Sequence, residues 1–185
     1  MNHMQALQLL RTYQEKGLSL IPLKPRTKTP LVKWKEYRLT DEDFLKYLSQ
    51  GINWAIRCDE NFHAFDFDNL DNYRKYIQEN SDILRGAPIV RTGRGYHVWF
   101  KPKTPVKSFN VDGIEVKGLG NLLVVPPSIH PSGAEYVFET PLNGSLPVID
   151  VNELIGGRIT GEPKEKKLSP PTPCRHQTLS TATTT

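Results

Sequence analysis

Asp66 and Asp68 flank Phe67 in the stretch His63-Ala64-Phe65-Asp66-Phe67-Asp68. On a strand successive side chains alternate faces, so Phe65 and Phe67 would enter a core while two carboxylates share the opposite face. Such a pair is repulsive unless a cation or water screens it. Paired hard oxygen ligands suit Mg²⁺ or Mn²⁺, and a pair of such ions is a common device of phosphoryl transfer. The commoner explanation of the pair taken alone is a solvated strand end or an Asx turn, because Asn69, Asp71 and Asn72 follow.

Three further segments carry chemistry. Arg91-Thr92-Gly93-Arg94-Gly95-Tyr96-His97-Val98-Trp99-Phe100 places two arginines and two glycines in a turn, followed by a histidine. Glycines let backbone N–H groups approach an anion, and arginine makes bidentate phosphate contacts. Alternation puts His97 and Trp99 on one face, with Tyr96, Val98 and Phe100 on the other. A hairpin with an exposed basic tip explains the segment as well. In Gly113-Ile114-Glu115-Val116-Lys117-Gly118, Glu115 could complete a carboxylate trio with Asp66 and Asp68, and Lys117 on the same face could neutralise phosphate. A Glu–Lys pair on a solvated sheet is the plainer reading. In Val124-Val125-Pro126-Pro127-Ser128-Ile129-His130-Pro131-Ser132-Gly133 the prolines fix a turn. Ser128 and His130 could reach one pocket from it, or the turn could be purely structural. No G-x-S-x-G elbow makes Ser128 a hydrolase nucleophile.

Short elements must position these groups. Apolar spacing predicts a helix over Met4–Lys16 stopped by Gly17, and a buried strand over Leu18–Leu23. Lys24–Pro30 reads as a basic, proline-punctuated loop. Thr40 followed by Asp41, Glu42 and Asp43 predicts a capped helix ending at Gly51. Strands are expected over Trp54–Arg57, His63–Phe67, Ile89–Arg91, Tyr96–Phe100, Gly113–Val116 and Leu122–Val125, with an edge strand over Tyr136–Glu139. A helix is expected over Asn69–Glu79. Many short strands with few helices indicate an α+β fold.

The chain of 185 residues is 37% hydrophobic and 24% charged, as in a soluble globular protein with a polar appendage. No apolar run approaches the roughly 20 residues of a membrane span. The N-terminus lacks a basic-then-apolar signal pattern, so a cytoplasmic location is expected. Cys58 and Cys174 are too far apart to suggest a disulfide framework or a cysteine zinc site. The pI near 9.0 suggests an anionic partner. However, five basic and two acidic residues lie beyond Gly156, and without them the totals of 24 and 20 become 19 and 18. Local clustering must therefore carry any nucleic-acid argument. Residues 156–185, with Glu-Lys repeats, Ser-Pro-Pro-Thr-Pro and a Ser/Thr end, read as a disordered linker or tail.

The four segments, in this order and spacing, resemble the bifunctional DNA primase/polymerase (prim-pol) domain of the archaeo-eukaryotic primase superfamily. Lys28-Thr29-Pro30 followed by Trp34 is similar to that family's N-terminal region, and the likeness spans about residues 5–155. The resemblance implies an RRM-like catalytic sheet (61–155) joined to an N-terminal α/β subdomain (1–60). It implies that Asp66, Asp68 and Glu115 hold two Mg²⁺ or Mn²⁺ ions. His97 would contact the incoming nucleotide's phosphates, with Arg91, Arg94, Gly95, Lys117, Ser128 and His130 around the nucleotide. The implied reaction is template-directed nucleotidyl transfer in replication of a plasmid, phage or mobile element. The implied partners are a single-stranded DNA template, a primer strand, NTP or dNTP, and a helicase domain or protein. Lys28, Lys33 and Lys35, interleaved with Trp34 and Tyr37, could track the template by charge and stacking, or could be solvated surface. The chain departs from the pattern twice. Glu115 stands where the third acid is often Asp, and Gly95 stands where some relatives have a Ser two residues before the His. Two other functions use the same residues: a two-metal nuclease or phosphodiesterase, and a non-catalytic single-stranded nucleic-acid-binding module.

Overall fold

Each helix begins where a side chain takes up amides that the first turn leaves unpaired. The computed structural model describes residues 1–155, so the expectation for 156–185 lies outside the described residues. Helix α1 (His3–Glu15) opens with a capping box in which the Asn2 side chain accepts from the Gln5 N–H and the Gln5 side chain accepts from the Asn2 N–H. Gly17, at φ +73°, closes it, and the Leu18 N–H donates back to the Tyr13 carbonyl. After β1 (Leu20–Leu23), the Thr40 hydroxyl accepts from the Asp43 N–H to start α2 (Asp41–Leu48), with three acids in the first turn. Strands β2 (Asn53–Arg57) and β3 (His63–Phe67) follow. Asn69 then caps α3 (Leu70–Glu79) by accepting from the Asp71 and Asn72 N–H groups. The Asx turn that was one reading of the Asp66–Asp68 region is therefore present, one residue downstream of the acids.

The remaining elements are β4 (Ile89–Arg91), β5 (Tyr96–Pro102), β6 (Phe109–Val111), β7 (Ile114–Lys117), β8 (Leu122–Val125), β9 (Val137–Thr140), β10 (Val148–Ile149) and α4 (Val151–Leu154). The expected elements form within two residues of their predicted ends, apart from the helix placed before Gly51, which stops at Leu48. Strands β6 and β10 and helix α4 were not foreseen. At two to four residues each they are too short to show a period.

The fold is α+β, with mixed helices and largely antiparallel sheets. Strands β1-β2-β8 form a three-stranded antiparallel sheet. The second sheet runs β6-β7-β3-β5-β4-β9, with β10 parallel to the end of β5. Strand β9 lies at the edge, as its sequence suggested. Strand β8 comes from the later half of the chain yet pairs with β2, Trp54 opposite Val125, so the chain recrosses the boundary expected near residue 60.

Strands β3 and β5 have apolar packing on both faces. Ala64 and Trp99 join the core built from α1, α2 and the small sheet, while Phe65, Phe67, Val98 and Phe100 join a second core under α3 and α4. This shared pair of strands ties the two cores together. Its polar exceptions, Asp66 and His97, therefore sit at the margin of a packed interior. No helix among the described residues is long and apolar enough to cross a membrane.

Trp99 is fully buried, edge-on to Phe62 (5.2 Å) and Phe138 (5.1 Å). Trp99→Ala is expected to lose about 3–5 kcal/mol of stability, measured as a lowered urea midpoint at unchanged m-value.

Candidate active site

Strand register gathers the first polar row. Asp66 on β3 lies directly opposite Glu115 on β7 and opposite His97 on β5. Residues directly opposite on neighbouring strands share a face, so Glu115, Asp66 and His97 form a line across three strands. Asp68 follows just beyond the end of β3. The two acids differ in setting: the Asp66 side chain is 20% exposed and that of Asp68 is 70% exposed.

The same-face pair Glu115–Lys117 forms, with Lys117 Nζ 2.7 Å from Glu115 Oε1. It does not lie on a plain solvated surface. Lys117 Nζ is also 3.5 Å from Asp66 Oδ2, so the ammonium bridges the two carboxylates. Arg94 Nε lies 3.8 Å from Asp68 Oδ1. Side-chain cations thus provide the screening that adjacent carboxylates need.

A cavity of about 140 Å³ is lined by Lys28, Asp66, Asp68, Thr92, Arg94, His97, Glu115, Lys117, His130 and Tyr136. That is smaller than the roughly 300–1,000 Å³ of a drug-sized ligand site, and suits phosphate groups better than a whole nucleotide. Larger hollows occur elsewhere, of about 780 Å³ between α1, α2 and β9 and about 280 Å³ beside α3. Neither gathers three acids with three basic side chains as this cavity does, so chemistry rather than size marks the site.

Burial sets the protonation behaviour. It raises the pKa of Asp66; Lys117 opposes the shift and Asp68 adds to it. Burial also works against the Lys117 charge, but the bonds from Glu115 and Asp66 outweigh it and hold that pKa above its ordinary value. His97 is driven down to about 3, by burial first and then by Lys117 and Lys28. Its ring is therefore neutral at pH 7. It can offer an anion a hydrogen bond rather than a positive charge. Its Nε2 lies 3.5 Å from Asp66 Oδ1, and its Nδ1 is buried without a hydrogen-bond partner. Tyr136 is pushed up to about 12, by burial first and then by Asp66.

The glycine turn works differently from its sequence reading. The Thr92 hydroxyl accepts from the Arg94 N–H (3.2 Å) and the Gly95 N–H (3.0 Å), and the Thr92 N–H donates to the Gly95 carbonyl. These amides are spent inside the turn, so Gly95 does not offer its N–H to a nucleotide. The glycines serve close packing instead. A Cβ on Gly95 would lie 1.7 Å from the Phe67 carbonyl oxygen, and one on Gly93 would lie 2.4 Å from the His130 ring.

Other expected nucleotide contacts are also displaced. Arg91 is not in the cavity. It neighbours Val90, which is opposite His97, so alternation turns Arg91 to the other face, where it pairs with Glu139 at 3.6 Å. Ser128 is 1% exposed, and its hydroxyl accepts from the Trp54 N–H and donates to the Trp54 carbonyl. It fastens the turn to β2 rather than facing a ligand. His130 does line the cavity. Its Nδ1 accepts from the Ser132 N–H at 3.1 Å, which leaves the neutral ring's proton on Nε2. Of the template candidates, Lys28 lines the cavity, whereas Lys33, Trp34 and Lys35 do not. Trp34 packs partly against the first core, and the buried Arg57 guanidinium holds the carbonyls of Trp34, Lys35 and Tyr37. Two lining residues escaped sequence reading. Thr92 could have been found from its Thr-Gly-x-Gly turn. Tyr136 carried no local signal.

A family model described as the N-terminal domain of bifunctional DNA primase/polymerase matches residues 10–153. The chain belongs to this family. No curated protein matches it. Membership supports nucleotidyl transfer of the primase/polymerase type, acting on nucleic acid and nucleotides, and enzymes of this kind normally use divalent metal ions. Among the described residues of this prim-pol domain, no three His, Cys, Asp or Glu side chains converge as a metal-type group. The donor chemistry nonetheless fits a hard cation: Asp66, Asp68 and Glu115 present carboxylate oxygens to one cavity, and the Lys117 ammonium already occupies a cation position between two of them.

Two outcomes follow from this geometry. Gly95→Ala is expected to unfold the domain or lower its melting temperature sharply, because the new methyl meets backbone that side-chain rotation cannot relieve; thermal melting checks it. The second concerns His97. The unfolded ring takes its proton near pH 6.5 and the folded one near 3, so unfolding takes up a proton between those values. The associated stability is fully present above pH 6.5 and is lost as pH falls toward 3. Asp66, with its raised pKa, acts in the opposite sense. In EDTA, melting temperature plotted against pH should therefore slope less steeply in His97→Leu than in the parent.

Proposed function

We propose that the domain carries out template-directed nucleotidyl transfer, priming or extending a DNA strand, with the triphosphate of an NTP or dNTP in the Asp66–Glu115 cavity. One observation carries the reading: in a member of the primase/polymerase family, three acids and three basic side chains, Lys28, Arg94 and Lys117, share one small cavity with two histidines. Such a site is balanced by itself, so an anionic triphosphate brings in charge that added cations must offset. Asp66, Asp68 and Glu115 would hold two Mg²⁺ or Mn²⁺ ions, which when bound supply Lewis-acid charge against the triphosphate and lower the pKa of the attacking hydroxyl.

The chain's own groups have distinct roles. Arg94 and Lys28 hold phosphate oxygens by charge, and His130 offers its Nε2–H. Lys117, beside Asp66 and Glu115 in the same cavity, would add its charge against the phosphates. His97 stays uncharged and contributes one directed hydrogen bond. Lys117 and Lys28 favour the ionised form of Asp66 against the burial that raises its pKa. In this reading the larger sheet is the family's RRM-like catalytic sheet, and residues 1–60 together with β8 form the smaller subdomain. The cellular setting is replication of a plasmid, phage or mobile element, with a helicase domain or protein as partner.

The test offers the protein a primed template, dNTPs and Mn²⁺. Primer extension is expected, and Asp66→Asn should reduce it by at least about 100-fold, comparable to losing one charge-stabilising group at a transition state. The variant should stay folded and melt no lower than the parent at pH 7, because a carboxylate whose ionised form is disfavoured by burial has been removed. Equal extension by parent and variant would sink the proposal. Strand degradation without dNTPs would point to a nuclease.

A further inference from the structure

Strand β2 begins with a buried amide. Asn53 is 3% exposed and sits beside Trp54, Ala55 and Ile56. A buried carboxamide without partners is costly, but this one makes three hydrogen bonds. Its Nδ2 donates to the Thr27 carbonyl (3.1 Å) and to the Ile129 carbonyl (2.8 Å), and its Oδ1 accepts from the Ile129 N–H (3.0 Å). The Ile129 N–H can only donate, which fixes the orientation of the amide.

Each partner stands one residue from a nitrogen-bearing side chain that lines the cavity. Thr27 precedes Lys28, in the basic loop between β1 and α2. Ile129 precedes His130, in the turn after β8. Both Lys28 and His130 line the cavity that contains Asp66 and Asp68. The two segments also meet directly: a Cβ on Gly133 would lie 3.2 Å from Arg26 Nη2. They are anchored unequally. The turn has a second tie to β2 through Ser128 and Trp54. The basic loop is closed on itself by Lys24 N–H to Thr29 carbonyl and rests on β1 through Leu31 N–H to Pro22 carbonyl, while Asn53 links it to the turn.

We propose that Asn53 is a positioning residue that holds Lys28 and His130 at a set separation over the carboxylates, so that both reach one triphosphate. No other side-chain chemistry reproduces its bonds at this length. Aspartate would set a carboxylate against two carbonyl oxygens, and alanine would leave Thr27 and Ile129 without their partner.

The inference rests on the cavity being the triphosphate site, and the experiment separates the two ideas. Affinity for a fluorescent dATP analogue is measured with Mn²⁺, without template, in a double-mutant cycle. Lys28→Ala is expected to weaken binding about fivefold or more in the parent and less than about twofold in Asn53→Ala, because contacting residues couple and independent ones add. Ser128→Ala, which loosens only the turn, should leave the Lys28→Ala effect at full size. Asn53→Asp, matched in shape and keeping an acceptor for the Ile129 N–H, provides the same cycle if Asn53→Ala does not fold. A full-size Lys28→Ala effect in the Asn53 variants would overturn the positioning role, as would equal loss of coupling in Ser128→Ala, the mark of general loosening. Parent-like binding by both Lys28→Ala and His130→Ala would overturn the triphosphate site itself, and the inference with it.

Discussion

A carboxylate placed at the edge of a packed core is the constraint around which this domain is organised. Asp66 lies on a strand whose other residues are buried on both faces, so removal from water works against its ionised form. Its neighbours come from both flanking strands. On β7 the Lys117 ammonium bridges Asp66 and Glu115; on β5 His97 stands opposite as an uncharged ring. The position fits a cation, and without an added one the chain supplies its own.

The same cations that stabilise the acids are those a triphosphate would recruit. Lys117 and Arg94 each pair with a carboxylate, and Lys28 lowers the Asp66 pKa without touching it. The protein therefore does not hold two opposing charged surfaces apart. It keeps a compact, balanced cluster in which added metal and added phosphate can exchange partners. Loops deliver the outer members of that cluster, and polar side chains hold the loops: Thr92 inside the glycine turn, Ser128 in the turn after β8 and Asn53 on β2.

Much of this was legible in the chain. Strand alternation over His63–Phe67 and Ile114–Lys117 correctly separated the core side chains from Asp66, Glu115 and Lys117, because a period of two survives any tertiary arrangement. The Thr40 cap marked a helix start for a similar reason, since its hydroxyl accepts from an N–H only three residues on. The glycine-rich turn was found but its purpose was misjudged. Glycine signals that backbone comes close to something, and only the folded chain shows that the close neighbours are the Phe67 carbonyl and the His130 ring rather than a ligand. Arg91 and Ser128 were misplaced because residue type does not say which face a short strand or turn presents.

By itself the sequence determined the elements, the faces of the central strands and, through four ordered motifs, the family. These depend on local geometry and on residue identity at fixed spacing. Tertiary structure alone decided that Glu115 and His97 sit on either side of Asp66, that His97 is neutral, and that Lys28 and His130 arrive at one cavity under the control of Asn53. Those facts depend on strand register, burial and hydrogen bonds between residues as many as 76 positions apart, which no local pattern encodes.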